Sequence, residues 1–197
     1  MTNVVRFAKQ SLYTGIALAF TTLSPFLAFA QMAHVHPQQT QTADQKVKSN
    51  DLVKIVRDST ERFKDVSVAQ AEGYALQFGC VSGDSSGAMG MHYVNGDLVA
   101  KGVIDATKPQ IVIYEPLASG KLHLIGADYL VLADSWDKTH SSPPELMGQL
   151  FHLFEAPNRF GLPSFYTLHV WAWKDNPNGA FVNWHPNVVC EQFNAAN

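Results

Sequence analysis

The feature of this chain that most limits its fold is a change in hydrophobic period at Gly73. Upstream, apolar residues between 50 and 63 recur at three- and four-residue spacing, which predicts a helix with Asn50 as its amino-terminal cap. Downstream, apolar and polar residues alternate, as they do along half-buried strands. A turn-like segment at 118–120 joins two neighbouring runs, which favours a hairpin and an antiparallel sheet. The predicted strands span residues 74–80, 88–94, 111–115, 122–132 and 165–173.

Two further helices complete the predicted architecture. A short one is expected to begin at Asp65 or Ser67 and to end at Gly73. Another is expected after Ser142, because the run from Ser142 to Glu145 combines a capping serine, a proline at the first helical position and a glutamate at the third. This order places helices first and then consecutive strands, with one helix before the last strand. It predicts the α+β class with an antiparallel sheet of about five strands.

Residues 1–30 have the pattern of a secretory signal peptide. Arg6 and Lys9 precede an apolar stretch, and the small residues Ala28 and Ala30 stand where signal peptidase would cut before Gln31. The alternative is a membrane anchor, but polar residues and a proline interrupt a stretch too short for about 30 Å of hydrocarbon. We therefore expect cleavage and a secreted or periplasmic protein without a membrane span.

Removal of that leader is expected to leave a flexible tail at 31–50 and a single α+β domain at 51–197. The tail is rich in Gln, Thr and Lys and shows no apolar period, so burial cannot compensate the entropy of ordering it. The whole chain has 14 basic and 17 acidic residues, which gives a net charge of −3. This balance argues against nucleic acid as a partner, and we expect a small-molecule ligand instead.

The chain has two cysteines, Cys80 and Cys190. In an exported protein an even pair is expected to form a disulfide, because oxidising compartments leave few free thiols. Two separate thiols are the alternative. A metal site built on this cysteine pair alone is a less favoured alternative.

Four polar residues fall within or at the end of predicted strands, in apolar surroundings: His92, Glu115, Asp128 and His169. A buried carboxylate is costly without a partner, so Asp128 in particular must be satisfied. We predict that His92, Glu115 and His169 bind a divalent metal such as zinc, manganese or iron, with Asp128 orienting or joining them. His92, His169 and Asp128 would then be the catalytic residues of a metal-dependent hydrolase or lyase. The alternative is that these groups hydrogen-bond one another in a polar pocket of the core.

Aromatic residues are concentrated near the carboxyl end. Alternation would place Trp171 and Trp173 on one face of the last strand, where they could line a site for an aromatic or apolar ligand. Tyr93, next to His92, is the third predicted binding residue. These side chains support a second hypothesis, in which the protein is a non-catalytic binding module for an aromatic or lipid-like ligand and its histidines are structural.

Two longer segments are specific in combination. The first reads Gly-Ala-Met-Gly-Met-His-Tyr-Val-Asn at 87–95, and the second, at 168–186, begins Leu-His-Val-Trp and ends Trp-His-Pro. Over most of 74–190 the chain resembles a group of secreted bacterial proteins of unassigned function. That group tends to have glutamate where this chain has Asp128, and asparagine where it has His185. The first difference keeps a carboxylate but shortens its side chain, and the second argues against His185 as a ligand. The resemblance implies no activity.

Overall fold

The computed structural model describes residues 41–194. The predicted signal peptide and the first part of the predicted tail lie outside these residues. The prediction of a flexible tail is wrong for residues 43–50, which belong to a helix that begins well before Asn50. Its cap is Thr42, whose side chain accepts from the Gln45 backbone N–H while the Gln45 side chain accepts from the Thr42 backbone N–H. This reciprocal pair satisfies donors that the first helical turn leaves unpaired.

The elements follow one another largely as the hydrophobic period predicts. A 3₁₀ turn at Glu61–Lys64 links the first two helices. Within the described residues, no helix is long and apolar enough to cross a membrane. The helices are α1 (Ala43–Thr60), α2 (Val66–Ala71), α3 (Gly96–Lys101), α4 (Ala133–Asp137) and α5 (Glu191–Asn194). The strands are β1 (Tyr74–Ser82), β2 (Ala88–Asn95), β3 (Ile111–Pro116), β4 (Leu122–Leu132), β5 (Glu145–Leu146), β6 (Gln149–Leu150), β7 (His152–Phe154) and β8 (Phe165–Val170).

The main sheet is antiparallel and has six strands in the order β1-β2-β3-β4-β8-β7. Strands β5 and β6 form a separate two-stranded hairpin. The predicted α+β class, antiparallel sheet and amino-terminal helices are therefore confirmed, with six strands in place of about five. The sixth, β7, comes from a segment for which the sequence predicts a helix.

The helix predicted after Ser142 does not form. Met147 and Gly148 have φ angles of 51° and 81°, which turn the chain back on itself between β5 and β6. The Glu145 carboxylate accepts from the Gly148 backbone N–H instead of capping a helix. Strand β7 then pairs with β8, so long-range pairing overrides the local capping signal. The helix that precedes the last strand is α4.

The two faces of the sheet are covered by different parts of the chain. On one face, Leu52 and Val56 of α1 pack in a buried cluster with residues of β4 and β8 such as Tyr129 and Leu168. On the other face, Ile113 and Trp171 pack in a cluster with residues of the carboxyl-terminal coil. The coil lies over only part of its face, and the polar residues predicted to form a site lie on that same side.

The carboxyl-terminal coil is fixed by two links to the first strands. Cys80 and Cys190 form a disulfide, as predicted, with an S–S distance of 2.12 Å. Backbone hydrogen bonds of 3.2 and 3.1 Å join Ala88 to His185. Gly87 allows this close approach, because a Cβ there would lie 2.1 Å from the His185 carbonyl oxygen.

Candidate functional site

Three of the four predicted site residues meet on one face of the sheet: His92 on β2, Asp128 on β4 and His169 on β8. One potential ligand atom from each lies within 4.8 Å of the others. Asp128 pairs directly with His169 across the ladder, whereas β3 separates β2 from β4. Strands β2 and β8 are thus about 14 Å apart, and the two imidazoles meet by extending toward each other above the sheet. We call these residues the His–Asp–His cluster.

The hydrogen bonds of the cluster leave basic atoms facing each other. His92 Nδ1 lies 3.2 Å from the Gly90 carbonyl oxygen, which can only accept, so Nδ1 carries the hydrogen and Nε2 a lone pair. His92 Nε2 and His169 Nε2 are 3.5 Å apart. At most one hydrogen can be shared between them, and a cation would satisfy both nitrogens.

The carboxylate of the cluster is anchored but not neutralised. Thr167 Oγ1 donates to Asp128 Oδ1 at 2.6 Å, while His169 Nδ1 lies 3.7 Å from the same oxygen, beyond hydrogen-bonding distance. Asn183 lies close enough to favour protonation of His169, yet the buried Asn183 Oδ1 and His169 Nδ1 have no hydrogen-bond partner among the described residues. Buried polar atoms of this kind are uncommon and call for an explanation.

Burial sets the protonation states. His92, Asp128 and His169 are 5%, 3% and 2% exposed. Burial lowers the pKa of His92 to about 4, with the neighbouring His169 adding to the effect, and lowers the pKa of His169 to about 3. It raises the pKa of Asp128 to about 6, against the opposing hydrogen bond from Thr167. At pH 7 the cluster therefore presents two neutral imidazoles and an ionised carboxylate, the forms that bind metal ions.

The spacing fits a metal centre. Two nitrogens each about 2.05 Å from a tetrahedral zinc ion are about 3.4 Å apart, close to the separation of the two Nε2 atoms in the cluster. Three protein ligands and one open position are typical of catalytic zinc sites. Two histidines with one carboxylate also suit iron.

Glu115, predicted as the third metal ligand, does not belong to the cluster. It lies at the end of β3, where Lys174 Nζ donates to its Oε1 at 2.8 Å and to its Oε2 at 2.6 Å. The ammonium group reaches Glu115 from the coil that follows β8, and it supplies the partner that a buried carboxylate needs. Asp128 takes the place predicted for Glu115.

The three predicted ligand-binding aromatic residues do not line a common open face. Tyr93 lies on the opposite face of β2 from His92 and packs edge-on against Tyr114, with ring centroids 5.0 Å apart. Trp171 is 2% exposed, lies 5.9 Å from the His169 ring and donates from its indole N–H to the Val182 carbonyl oxygen. Trp171 is therefore a buried neighbour of the His169 ring.

Trp173 departs from the predicted alternation. Strand β8 ends at Val170, and the Ala172 backbone N–H donates to the Val170 carbonyl oxygen, a tight turn that reorients the chain. The Trp173 indole N–H consequently donates to Thr60 Oγ1, and the Lys64 ammonium lies 4.0 Å from the ring centre. Trp173 therefore belongs to the packing of the helical layer.

A pocket opens above the His–Asp–His cluster. Its volume is about 30 Å³, and since one water needs about 10–15 Å³, it holds a few small atoms at most. We call it the site pocket.

Thr167, two residues before His169 on the same strand, could have been found from the alternation. The aromatic rim of the pocket could not be found in this way, because Phe78 points into the pocket only through a bulge in β1. The lining residues are Phe78, Met89, His92, Ile111, Asp128, Leu130, Phe154, Phe160, Leu162, Phe165, Thr167 and His169.

The bulge that places Phe78 is a distinct backbone feature. The pairing of β1 with β2 shifts between Gln77 and Cys80, and Phe78 has a φ angle of 63°. Phe78 is 45% exposed, and its ring packs edge-on against Phe160 with centroids 5.4 Å apart. A non-glycine residue in the left-handed region costs energy, and such conformations are concentrated at functional sites.

Comparison of the chain with protein-family models, with curated proteins and with solved structures found no match.

Proposed function

We propose that this protein binds one divalent metal ion through His92, Asp128 and His169 and uses it to act on a small molecule, as a hydrolase or a lyase. The observation that carries the proposal is the pair of Nε2 atoms 3.5 Å apart beside a buried carboxylate. Within the described part of the chain, His169 is the one basic side chain within 4.0 Å of that carboxylate. A divalent cation would satisfy all three groups.

The donor set narrows the choice of metal. Imidazole and carboxylate ligands suit zinc, manganese and iron, whereas an all-oxygen set would be expected for calcium or magnesium. When bound, such an ion polarises a substrate oxygen or lowers the pKa of a coordinated water to about 7. The chain's own contribution is to hold the ligands deprotonated at neutral pH, to fix Asp128 through Thr167 and to restrict water to the small site pocket.

The second candidate function is the non-catalytic binding module. It is supported by the aromatic rim of the site pocket, which offers Phe78, Phe154 and Phe160 to an apolar ligand. In this case the cluster would be a structural hydrogen-bonding group. Ligand binding that survives a chelator would favour the module, and turnover abolished by a chelator would favour the enzyme.

We further propose that the chain is exported. The Cys80–Cys190 disulfide supports this, because such bonds persist in oxidising compartments. Expression with the native amino terminus, followed by cell fractionation and amino-terminal sequencing, should recover a periplasmic or secreted protein that begins at Gln31. Recovery of the full-length chain in the cytoplasm would contradict export.

Calorimetric titration with zinc tests the metal proposal. The purified chain, metal-depleted and then titrated with zinc by calorimetry, should bind about one ion per chain. His92→Gln, His169→Gln and Asp128→Asn should each weaken binding at least tenfold, because each removes a ligand. His140→Gln is the matched control, since His140 is exposed and stacks on Trp136 away from the cluster. Equal zinc affinity in all four variants would refute the proposal.

A further inference from the structure

A second cavity lies next to the site pocket. Its volume is about 400 Å³, within the range of small-molecule binding sites. We call it the apolar groove. It is bounded by strands of the main sheet on one side and by α3 on another. The lining residues are Gln77, Phe78, Val94, Gly96, Val99, Ala100, Ile111, Leu130, Leu132 and Leu162.

The apolar groove adjoins the site pocket. Phe78, Ile111, Leu130 and Leu162 line both. The connection follows from the register of the sheet, since Ile111 pairs with Asp128 and Leu130 lies two residues beyond Asp128 on the same face of β4. One end of the groove therefore lies beside the His–Asp–His cluster.

The lining decides what kind of ligand the apolar groove can hold. None of its ten residues is charged, and Gln77 is the only one with a polar side chain. Branched aliphatic side chains of valine, isoleucine and leucine supply most of the wall. A charged or strongly hydrogen-bonding group would lose hydration there with the Gln77 amide as its one side-chain partner in the lining, whereas an aliphatic chain would be stabilised by about 25 cal/mol for each Å² removed from water.

The site pocket places the opposite demand on the ligand. Its small volume admits a head group of a few atoms and no ring. A divalent ion held by two neutral imidazoles and one carboxylate keeps one positive charge, which an oxygen anion would neutralise. The polar end of the ligand is therefore a small oxygen-bearing group.

We propose that the protein binds aliphatic acyl compounds, with the hydrocarbon chain in the apolar groove and the carboxylate or carbonyl oxygen at the His–Asp–His cluster. The location of the head group rests on the proposed metal site, whereas the location of the chain rests on the groove alone. Phe78, held at the junction by the β1 bulge, sets the angle between head and chain.

Calorimetric titration of the zinc-loaded chain with decanoate, acetate and decanol tests this proposal. Decanoate should bind at least tenfold more tightly than acetate, which lacks the chain, and more tightly than decanol, which lacks the anion. Ala100→Trp fills the groove from an exposed position on α3 and should weaken decanoate and decanol binding at least tenfold. Ala71→Trp, at an exposed position on α2 outside both cavities, is the matched control and should change neither.

The outcomes separate this inference from the metal proposal. Loss of zinc binding in His92→Gln together with unchanged decanol binding supports both the metal site and the groove as the site of the hydrocarbon chain. Zinc binding without any effect of Ala100→Trp on decanoate overturns the acyl inference and leaves the metal site standing. Decanol binding that Ala100→Trp abolishes, in a chain that binds no zinc, supports the groove as the chain site and overturns the metal.

Discussion

Replacing both Cys80 and Cys190 with alanine should destabilise the protein strongly. The cysteines are 110 residues apart, and in the chain-entropy model a link across such a loop lowers the entropy of the unfolded chain by an amount worth about 5 kcal/mol at 25 °C. Small domains are stable by about 5–15 kcal/mol in total, so the loss is a large part of the folding free energy. It should also free the coil that packs beside the His–Asp–His cluster.

The assay is urea unfolding followed by tryptophan fluorescence. Val188→Ala is the matched control, since Val188 is fully buried beside Cys190 in the same cluster and its truncation leaves a comparable cavity without opening the loop. It should cost roughly 2 kcal/mol. Reduction of the wild-type disulfide should reproduce most of the effect of the double substitution. A double variant no less stable than Val188→Ala would refute the loop-closure reasoning.

Three further predictions concern single residues. Phe78→Gly should be more stable than Phe78→Ala by about 1 kcal/mol in urea unfolding, because Phe78 has a φ angle of 63° that glycine adopts without strain. A Phe78→Ala variant that is the more stable of the two would contradict the left-handed conformation. Gly87→Ala should cost at least about 2 kcal/mol, since its Cβ would clash with the His185 carbonyl oxygen, and a neutral effect would contradict that contact. Between pH 6 and 4 the metal-free protein should lose about 1.4 kcal/mol of stability per pH unit from the cluster, a slope that should nearly vanish in His169→Gln.

The sign of that pH dependence follows from the three pKa values. The pKa values of His92 and His169, about 4 and 3, lie below the ordinary histidine value, so their contribution is present above about pH 6.5 and is lost as the pH falls. The pKa of Asp128, about 6, lies above its ordinary value, so its contribution is present at low pH and is lost as the pH rises. Two histidines outweigh one carboxylate, and the unfolded chain binds about one proton more. An unchanged slope in His169→Gln would contradict this assignment.

The strands could be predicted from the sequence because alternation is a local property. Four of the five predicted runs match β1 to β4 within a few residues, and the fifth, 165–173, contains β8. The segment after Ser142 could not be predicted, because its capping residues are local signals that lose to the Met147–Gly148 turn and to the pairing of β7 with β8. Trp173 was misplaced for a similar reason, since alternation holds only while the strand lasts.

The sequence predicts the types of residue in the site better than it predicts which of those residues meet. His92, Asp128 and His169 stood out as polar groups on apolar strands, but which carboxylate meets the histidines depends on strand order and on Lys174, and neither can be read from spacing. Glu115 was the predicted metal ligand and Asp128 the residue predicted to orient or join the ligands, whereas β8 pairs with β4 and Lys174 pairs with Glu115, so Asp128 meets the histidines instead. The Phe78 bulge and the rim from 154 to 162 have no sequence signature at all.

Anomalous diffraction at the zinc absorption edge, from crystals of the zinc-loaded chain, would locate the metal in the His–Asp–His cluster. We expect one strong peak about 2.1 Å from both His92 Nε2 and His169 Nε2, with an Asp128 oxygen completing three protein ligands. The absence of a peak between these two nitrogens, or a peak at exposed histidines such as His140 alone, would contradict it.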